Sequence, residues 1–577
     1  MIAFSIMEKA IKRFWEILRG EAPADLLIKN VKRVHPVSLE IREGPLAIAM
    51  GRIVGWTEMP AREVLDGKEA FLTPGLIDAH IHVESSMLSP PAFARAVIPH
   101  GTTAVVADPH EVGNVGGMAG LEWMMKHGRT APFRFFWAAP SCVPASPLDT
   151  PGAILGVDEI TALLDRPDVV SLGEVMNYPG VIHGDPEVHA KIAAAKARGL
   201  VVDGHAPGLT GGDLFAYAAA GIQTDHECTR LEEAEEKLRL GMMIQMRQGS
   251  AEHNLKTLLP LASPRWHDRL LFATDDRNPV DLAEIGHLNE HLRICVSSGM
   301  DPVVAIRIAT ANPARLYRLD GMGALCPGAR ADLVLFRDLE SFDADTVIIG
   351  GEIVYREGEF TCPFESERPA FPSSMHVKGL TPDALKVARQ GDVVKVIELI
   401  PGQVVTGKGH RRVPAGPFVA SDPASDFLKI AVFERHHGTG NVGVGFVTGF
   451  GFKEGAVATT VAHDSHHLLV VGTSDEDMLL AARTSAEMKG GISVVRRSEV
   501  LATLPLPLFG LMSDLPLEGL VERFKEVHAA AGRLGGSLAD PLMQMSFLAL
   551  PVIPSLKISD QGLVDVDRFQ HVPLFGE

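Results

Sequence analysis

The chain has 577 residues, with 54 Lys and Arg against 72 Asp and Glu and a formal charge of −18. That length exceeds one small core, and so acidic a surface repels a nucleic-acid backbone, which excludes the nucleic-acid-binding classes. Five scattered cysteines, Cys142, Cys228, Cys295, Cys326 and Cys362, form no C-x-x-C pair, which excludes a disulfide framework or Cys-rich zinc module and fits a reducing cytoplasm.

At the N-terminus Glu8, Lys9, Lys12 and Arg13 interrupt the apolar residues. The segment therefore reads as an amphipathic helix rather than a secretory signal, and no run of about 18 apolar residues elsewhere predicts a membrane span. Residues 25–72 hold short apolar runs, such as Leu26-Leu27-Ile28 and Leu46-Ala47-Ile48-Ala49, between turn-forming residues. These predict strands.

From residue 73 the pattern changes. An apolar run ends in His80-Ile81-His82, and residues two apart on a strand share a face, so both imidazoles can reach one cation. Asp108-Pro109-His110-Glu111 is expected at the end of the next strand. Gly113-Asn114-Val115-Gly116-Gly117 lacks the Lys-Ser/Thr ending of a phosphate loop and the spacing of a dinucleotide fingerprint, and reads as a turn. Cys142 reads as a packing residue. Further potential ligands close later runs: Glu174, His205, His226 and Asp275, each followed by a stretch of helical character. Strands alternating with helices predict a parallel sheet, and ligands at the carboxyl ends of successive strands are how a (β/α)8 barrel builds a site. Glu232-Glu233-Ala234-Glu235-Glu236 reads as a solvated helix face.

After residue 327 the strand pattern resumes in 328–336 and 346–351. Pro363, Pro369 and Pro372 with Ser366, Ser373 and Ser374 mark a boundary near 361–376. Beyond it come glycine-punctuated strands including 442–447, the polar cluster His463-Asp464-Ser465-His466-His467, and a helix over about 475–487.

These motifs, with Glu84-Ser85-Ser86-Met87, His100-Gly101-Thr102-Thr103, Gly173-Glu174-Val175-Met176-Asn177-Tyr178-Pro179-Gly180-Val181, Asp203-Gly204-His205-Ala206-Pro207, Thr224-Asp225-His226-Glu227 and Ala273-Thr274-Asp275-Asp276, resemble the amidohydrolase superfamily and, more closely, its bacterial-type adenine deaminases. The resemblance runs through nearly the whole chain. It implies a distorted (β/α)8 TIM-type barrel over 73–327. A small β-sandwich would be made from 1–72, which also carries the N-terminal helix, and 328–375, with a mixed α/β C-terminal domain over 376–577.

The resemblance also implies two divalent metal ions per subunit, Mn²⁺ or Fe²⁺, with Zn²⁺ compatible with the same imidazole and carboxylate donors. His80, His82 and Asp275 would hold one, His205 and His226 the other. Glu174 would bridge them, where many binuclear relatives use a carboxylated lysine. The implied reaction converts adenine to hypoxanthine and ammonia in purine salvage: a water between the cations ionises near neutral pH and attacks C6, and Asp275 passes its proton to the leaving amine.

Other assignments stay open in the sequence. His110 could polarise a ring nitrogen, bind an extra metal or shuttle a proton, or be a loop histidine held by Glu111. Glu84, Ser85, Ser86, Glu111 and Arg247 are candidate substrate contacts, although Ser85 and Ser86 could cap the next helix and Arg247 could sit in a surface salt bridge. His463, Asp464 and His466 could form a lid, an extra metal site or a structural turn, and His467 stands where relatives commonly have Asn. The alternative functions are another amidohydrolase acting on a cyclic amidine or amide, and a catalytically idle purine-binding protein. A homo-oligomer, as a dimer, is expected because closed symmetric assemblies are common.

Overall fold

The computed structural model describes residues 11–363, 370, 373–536 and 538–576. Residues 11–18 are helical, with Ile17 buried and Trp15 exposed; Glu8 and Lys9 of the expected amphipathic helix lie outside the described residues, as do Ser366, Pro369 and Pro372 of the expected boundary. No helix among the described residues is long and apolar enough to cross a membrane.

Eight parallel strands position the site. They are β1 (Leu76–Ile81), β2 (Thr102–Ala107), β3 (Arg134–Ala139), β4 (Val169–Val175), β5 (Val201–Gly204), β6 (Thr224–Asp225), β7 (Met243–Arg247) and β8 (Leu270–Ala273). β1, β2, β4 and β8 are buried at every residue, because a parallel sheet with helices on its outer face has no solvated side. β5-β4-β3-β2-β1 form one ladder and β6-β7-β8 another. The sheet curls so that its ends meet: Asp275 N–H donates to His80 O at 3.0 Å and His82 N–H donates to Asp275 O at 3.1 Å, while Gln223 N–H donates to Val202 O at 2.9 Å between β5 and β6. Inward side chains Ile77, Ala79, Ala104, Val106, Val201 and Leu271 fill the centre, and outward ones such as Val105, Leu172, Ile244 and Phe272 pack under the helices.

The segments on either side of the barrel hydrogen-bond into one nine-stranded sheet. Its seam is the antiparallel pairing of Leu333–Phe336 with the end of Ala61–Pro74, in the register Leu333↔Pro74 and Leu335↔Leu72. Leu26, Ile48, Leu65, Leu72, Leu333 and Ile348, drawn from across its width, share one core, so the sheet folds onto its own apolar face.

The C-terminal region centres on an eight-stranded mixed sheet backed by the helix Asp475–Glu487, whose N-cap Ser474 accepts the Asp477 N–H. It docks on the helix His110–Gly128. There the glycine-rich stretch expected as a turn is helical, with a break at Gly117 (φ 55°, ψ −148°). Its glycines make room for a neighbour, since a Cβ on Gly116 would lie 2.8 Å from Phe509 Cε1 of the C-terminal region. The acidic run at 232–236 also departs from expectation: Glu233 is buried, with its carboxylate 2.8 Å from the buried Lys237 Nζ.

Candidate metal centre

All six expected ligands converge at the carboxyl ends of the strands. His80 and His82 flank the last residue of β1. Their Nε2 atoms lie 3.2 Å apart and 3.4 and 3.1 Å from Asp275 Oδ1. Asp275 follows β8 with a positive φ of 58°, a conformation Asp tolerates better than most residues. Two hydrogen bonds from Thr274 to Asp78, from its N–H at 3.2 Å and its hydroxyl at 2.5 Å, lock this turn to β1.

Glu174, on β4, faces both histidine groups. Its Oε1 lies 3.4 Å from His82 Nε2 and 3.6 Å from His110 Nδ1, and its Oε2 lies 2.6 Å from His205 Nδ1 and 3.1 Å from His226 Nε2. The His80 and His226 rings stack with centroids 4.2 Å apart. One carboxylate therefore presents a separate oxygen to each group, as a bridge between two cations requires.

The donors fit a cation rather than protons. His82 Nδ1 lies 2.9 Å from Asp108 O, and a carbonyl can only accept, so Nδ1 carries a proton and Nε2 is the nitrogen left to face the centre. Nε2 faces His80 Nε2, Glu174 Oε1 and Asp275 Oδ1; burial opposes charge on the ring, yet Asp275 and Glu174 hold its pKa well above the usual value, and a divalent cation would take the place of that Nε2 proton. Burial opposes charge on Glu174 and Asp275, yet His205 and His226 around the first, and Arg247 with His80 and His82 around the second, hold both well below the usual carboxylate range. Burial also opposes charge on His205, but Glu227 and Glu174 lift its pKa to about 9. The same negative field would be neutralised by divalent cations.

Supporting residues fix these ligands. Arg247, at the end of β7, is buried between Glu227 and Asp275, with Nη1 2.6 Å from Asp275 Oδ2. It is neither a surface salt bridge nor a loop residue; it turns Oδ1 of Asp275 toward the histidines. Lys237 Nζ donates to Ala206 O at 2.8 Å and pairs with Asp225, tying the residue after His205 to the residue before His226. Asp108 Oδ2 accepts the Glu174 N–H at 2.9 Å.

The remaining candidates divide. His110 lies beside the centre, its ring 4.5 Å from that of His82. Glu84 is buried and accepts the Val112 N–H at 3.1 Å with Oε1; burial, with Glu111 nearby, pushes its pKa up to about 7. Ser85 donates to Asp276 Oδ1 and lines a chamber beside the centre. Ser86 does not reach the site, because its hydroxyl is buried and spent on Val83 O at 2.6 Å within its own turn. Neither serine caps the helix Pro90–Val97, whose N-cap is Ser89. Glu111, His463 and His466 form a second cluster, whose Glu111–His463 contact joins residues 352 apart in sequence, and Asp464 is buried beside it. Cys142 is buried, and burial raises its thiol pKa. The sequence reading gave no role to Glu227, whose Oε1 is 3.5 Å from His226 Nε2, or to Asp276. Each directly follows a ligand, and that adjacency was the available signal.

Residues 71–354 match the family model described as the amidohydrolase family, and residues 403–570 match the adenine deaminase C-terminal domain. The chain is 48% identical over 560 residues to the adenine deaminase of Desulfatibacillum aliphaticivorans, covering 96% of this chain and 98% of that one. It is 46% identical over 562 residues to the adenine deaminase of Methanothrix thermoacetophila, covering 97% and 98%. It is 43% identical over 570 residues to adenine deaminase 2 of Carboxydothermus hydrogenoformans, covering 98% and 100%.

Proposed function

Because the chain belongs to the adenine deaminase family of amidohydrolases, we infer that it is a hydrolase converting adenine and water to hypoxanthine and ammonia. The observation that supports this chemistry most directly is Glu174 facing two histidine groups with separate oxygens. His80, His82 and Asp275 would hold one divalent ion and His205 and His226 the other, with Glu174 shared. When bound, such ions acidify a water and supply the nucleophile at neutral pH. Mn²⁺ or Fe²⁺ is our assignment from the family resemblance, and the imidazole and carboxylate donors are also compatible with Zn²⁺.

The residues of the chain do the rest. Asp275 would take the proton of the attacking water as C6 becomes tetrahedral. Arg247 keeps that carboxylate far below its usual range, so it accepts the proton only in passing and yields it to the stronger base, the departing amine. His110, buried within 3.6 Å of Glu174 and of Glu111, is placed to carry a proton toward the ring. On the same footing we assign 73–327 to a distorted (β/α)8 barrel, 1–72 and 328–375 to the sandwich unit, and 376–577 to the C-terminal domain. A cytoplasmic role in purine salvage as a homodimer completes the assignment.

The test is ammonia release from adenine, with adenosine, guanine and cytosine as controls, by protein reconstituted separately with Mn²⁺, Fe²⁺ and Zn²⁺. Adenine-selective, metal-dependent release is expected. A verified two-metal protein that binds adenine and releases no ammonia would overturn the assignment.

A further inference from the structure

The second histidine cluster lies where helix His110–Gly128 meets the C-terminal region. Glu111 Oε1 lies 2.6 Å from His463 Nδ1, and Oε2 contacts His466 Nε2. By proximity alone these three side chains could hold a cation, but His466 Nδ1 accepts the Ala462 N–H at 3.1 Å. The neutral ring must then carry its one proton on Nε2, against the Glu111 carboxylate, and that nitrogen has no lone pair left for a metal. Burial keeps that ring neutral, pushing its pKa down to about 3. The cluster is a clasp between barrel and C-terminal region.

The clasp delivers His463. Its ring stacks on Phe547, with centroids 4.7 Å apart and planes 13° from parallel, and its backbone N–H donates to Ser546 O at 2.8 Å. With Nδ1 committed to Glu111, the ring borders a chamber shared with Ser85 and Asp276 of the barrel and Phe524 and Met543 of the C-terminal region. Ser85 and Asp276 adjoin the metal centre in sequence, Asp276 directly following Asp275. Burial opposes charge on His463, yet Glu111 holds its pKa up at about 9. Both ring nitrogens therefore carry protons at neutral pH, and Nε2 is an N–H donor.

We propose that this inter-domain chamber reads the purine ring: His463 Nε2 donates to a ring nitrogen, the Ser85–Asp276 pair accepts a purine N–H, and Glu111 positions His463. The proposal rests on adenine being deaminated at the adjoining metal centre. Adenine offers lone pairs at N1, N3 and N7, so a donor fixed in the chamber selects one of them and thereby the face and edge presented to the metals.

The experiment measures inhibition of adenine deamination by 1-deaza-, 3-deaza- and 7-deazaadenine, using metal-loaded full-length protein, wild type and His463→Asn and His463→Gln variants. Wild type should bind one analogue about 10- to 100-fold more weakly than the other two, the loss expected for one charge-assisted hydrogen bond. Asn keeps an N–H toward Glu111 and presents nothing to the chamber. H463N should therefore keep its metals and, at a lowered Tm, its fold, raise KM for adenine by a like factor with a smaller change in kcat, and lose the discrimination. Gln restores a chamber-side donor, so H463Q should recover part of it. Wild type that binds all three analogues equally overturns the proposal without any variant, and so does an H463N that discriminates as wild type does. If adenine is still deaminated in those cases, the function stands and only this inference falls; a wild type that releases no ammonia removes the function beneath it.

Discussion

Two clusters of histidine and carboxylate lie within a few residues of each other, His110 facing one and Glu111 the other, yet they are built for different partners. At the strand ends the ring of His82 spends its Nδ1 proton on Asp108 O and leaves Nε2 among carboxylates, where a cation would take the place of a proton. At the clasp the ring of His466 spends its lone pair on the Ala462 N–H and aims a proton at Glu111. The hydrogen bond at the far nitrogen decides whether the near one meets a cation or a carboxylate. Proximity of histidine and acid alone cannot separate the two cases.

The largest expected effect breaks the first cluster. Glu174→Gln removes the shared charge while preserving shape, and should lower adenine deamination by at least about 10³-fold because the nucleophile depends on the bound ions. Elemental analysis should show lost metal, and chelation of the wild type should reproduce both the lost activity and a lower Tm, since ions that bind only the folded chain stabilise it. Glu174→Gln that keeps full metal content and turnover would remove the bridge from the reading.

Next comes the clasp, where metal should be irrelevant. Glu111→Gln leaves His463 buried with no charge partner and should destabilise the protein by about 3–5 kcal/mol, by an amount that chelation does not change. The pH dependence gives the sign. His463 is raised from 6.5 to about 9, so its contribution is complete below about pH 6.5 and disappears as pH rises through 9. Glu111, held low by His463 and His466 against burial, contributes above its usual 4.5 and loses that contribution as pH falls. Unfolding free energies of wild type and E111Q should therefore differ most between pH about 4.5 and 6.5 and converge toward pH 9. A difference that grows from pH 7 to 9 would contradict the charge pairing.

The contrast explains what could be read from the chain. Each proposed metal ligand sits within two residues of a strand end, so strand periodicity and the barrel rule locate all six without knowing any long-range contact. Glu111 and His463 meet only because the C-terminal region docks on helix His110–Gly128, and nothing local to either residue specifies that docking. The same blindness makes Gly113 to Gly117 read as a turn: Gly116 is there to receive Phe509, which lies almost four hundred residues away by position, while Gly113 and Gly117 face Val143 and Ala153. Ser86 failed differently, since a serine after a ligand motif has the right chemistry for substrate, and only its own turn shows the hydroxyl to be spent.

Gly116 makes that docking testable at a smaller scale. Gly116→Ala puts a methyl group 2.8 Å from Phe509 Cε1 and should cost about 1–3 kcal/mol by overpacking, read as a lower denaturation midpoint. Because it loosens the surface that carries His463, KM for adenine should rise while metal content stays at the wild-type level. A change in metal content would mean that the two clusters are not independent.

The smallest effect lies in the flanking sheet. Lys68 Nζ and Glu357 Oε1 pair at 2.6 Å across the segments that precede and follow the barrel, and each shifts the other's pKa in the direction an ion pair demands. Both are exposed, so water and salt screen the pair and the entropy of two long side chains opposes it. The seam is held instead by the buried ladder Leu333↔Pro74, Val334↔Thr73 and Leu335↔Leu72. Lys68→Ala should leave Tm, metal content and turnover within experimental scatter, whereas Leu335→Ala at the same seam should cost about 2–5 kcal/mol. If the two substitutions were equal in thermal denaturation, the rule that separates all these sites, that a charge matters here in proportion to how completely water is excluded from it, would fail for this protein.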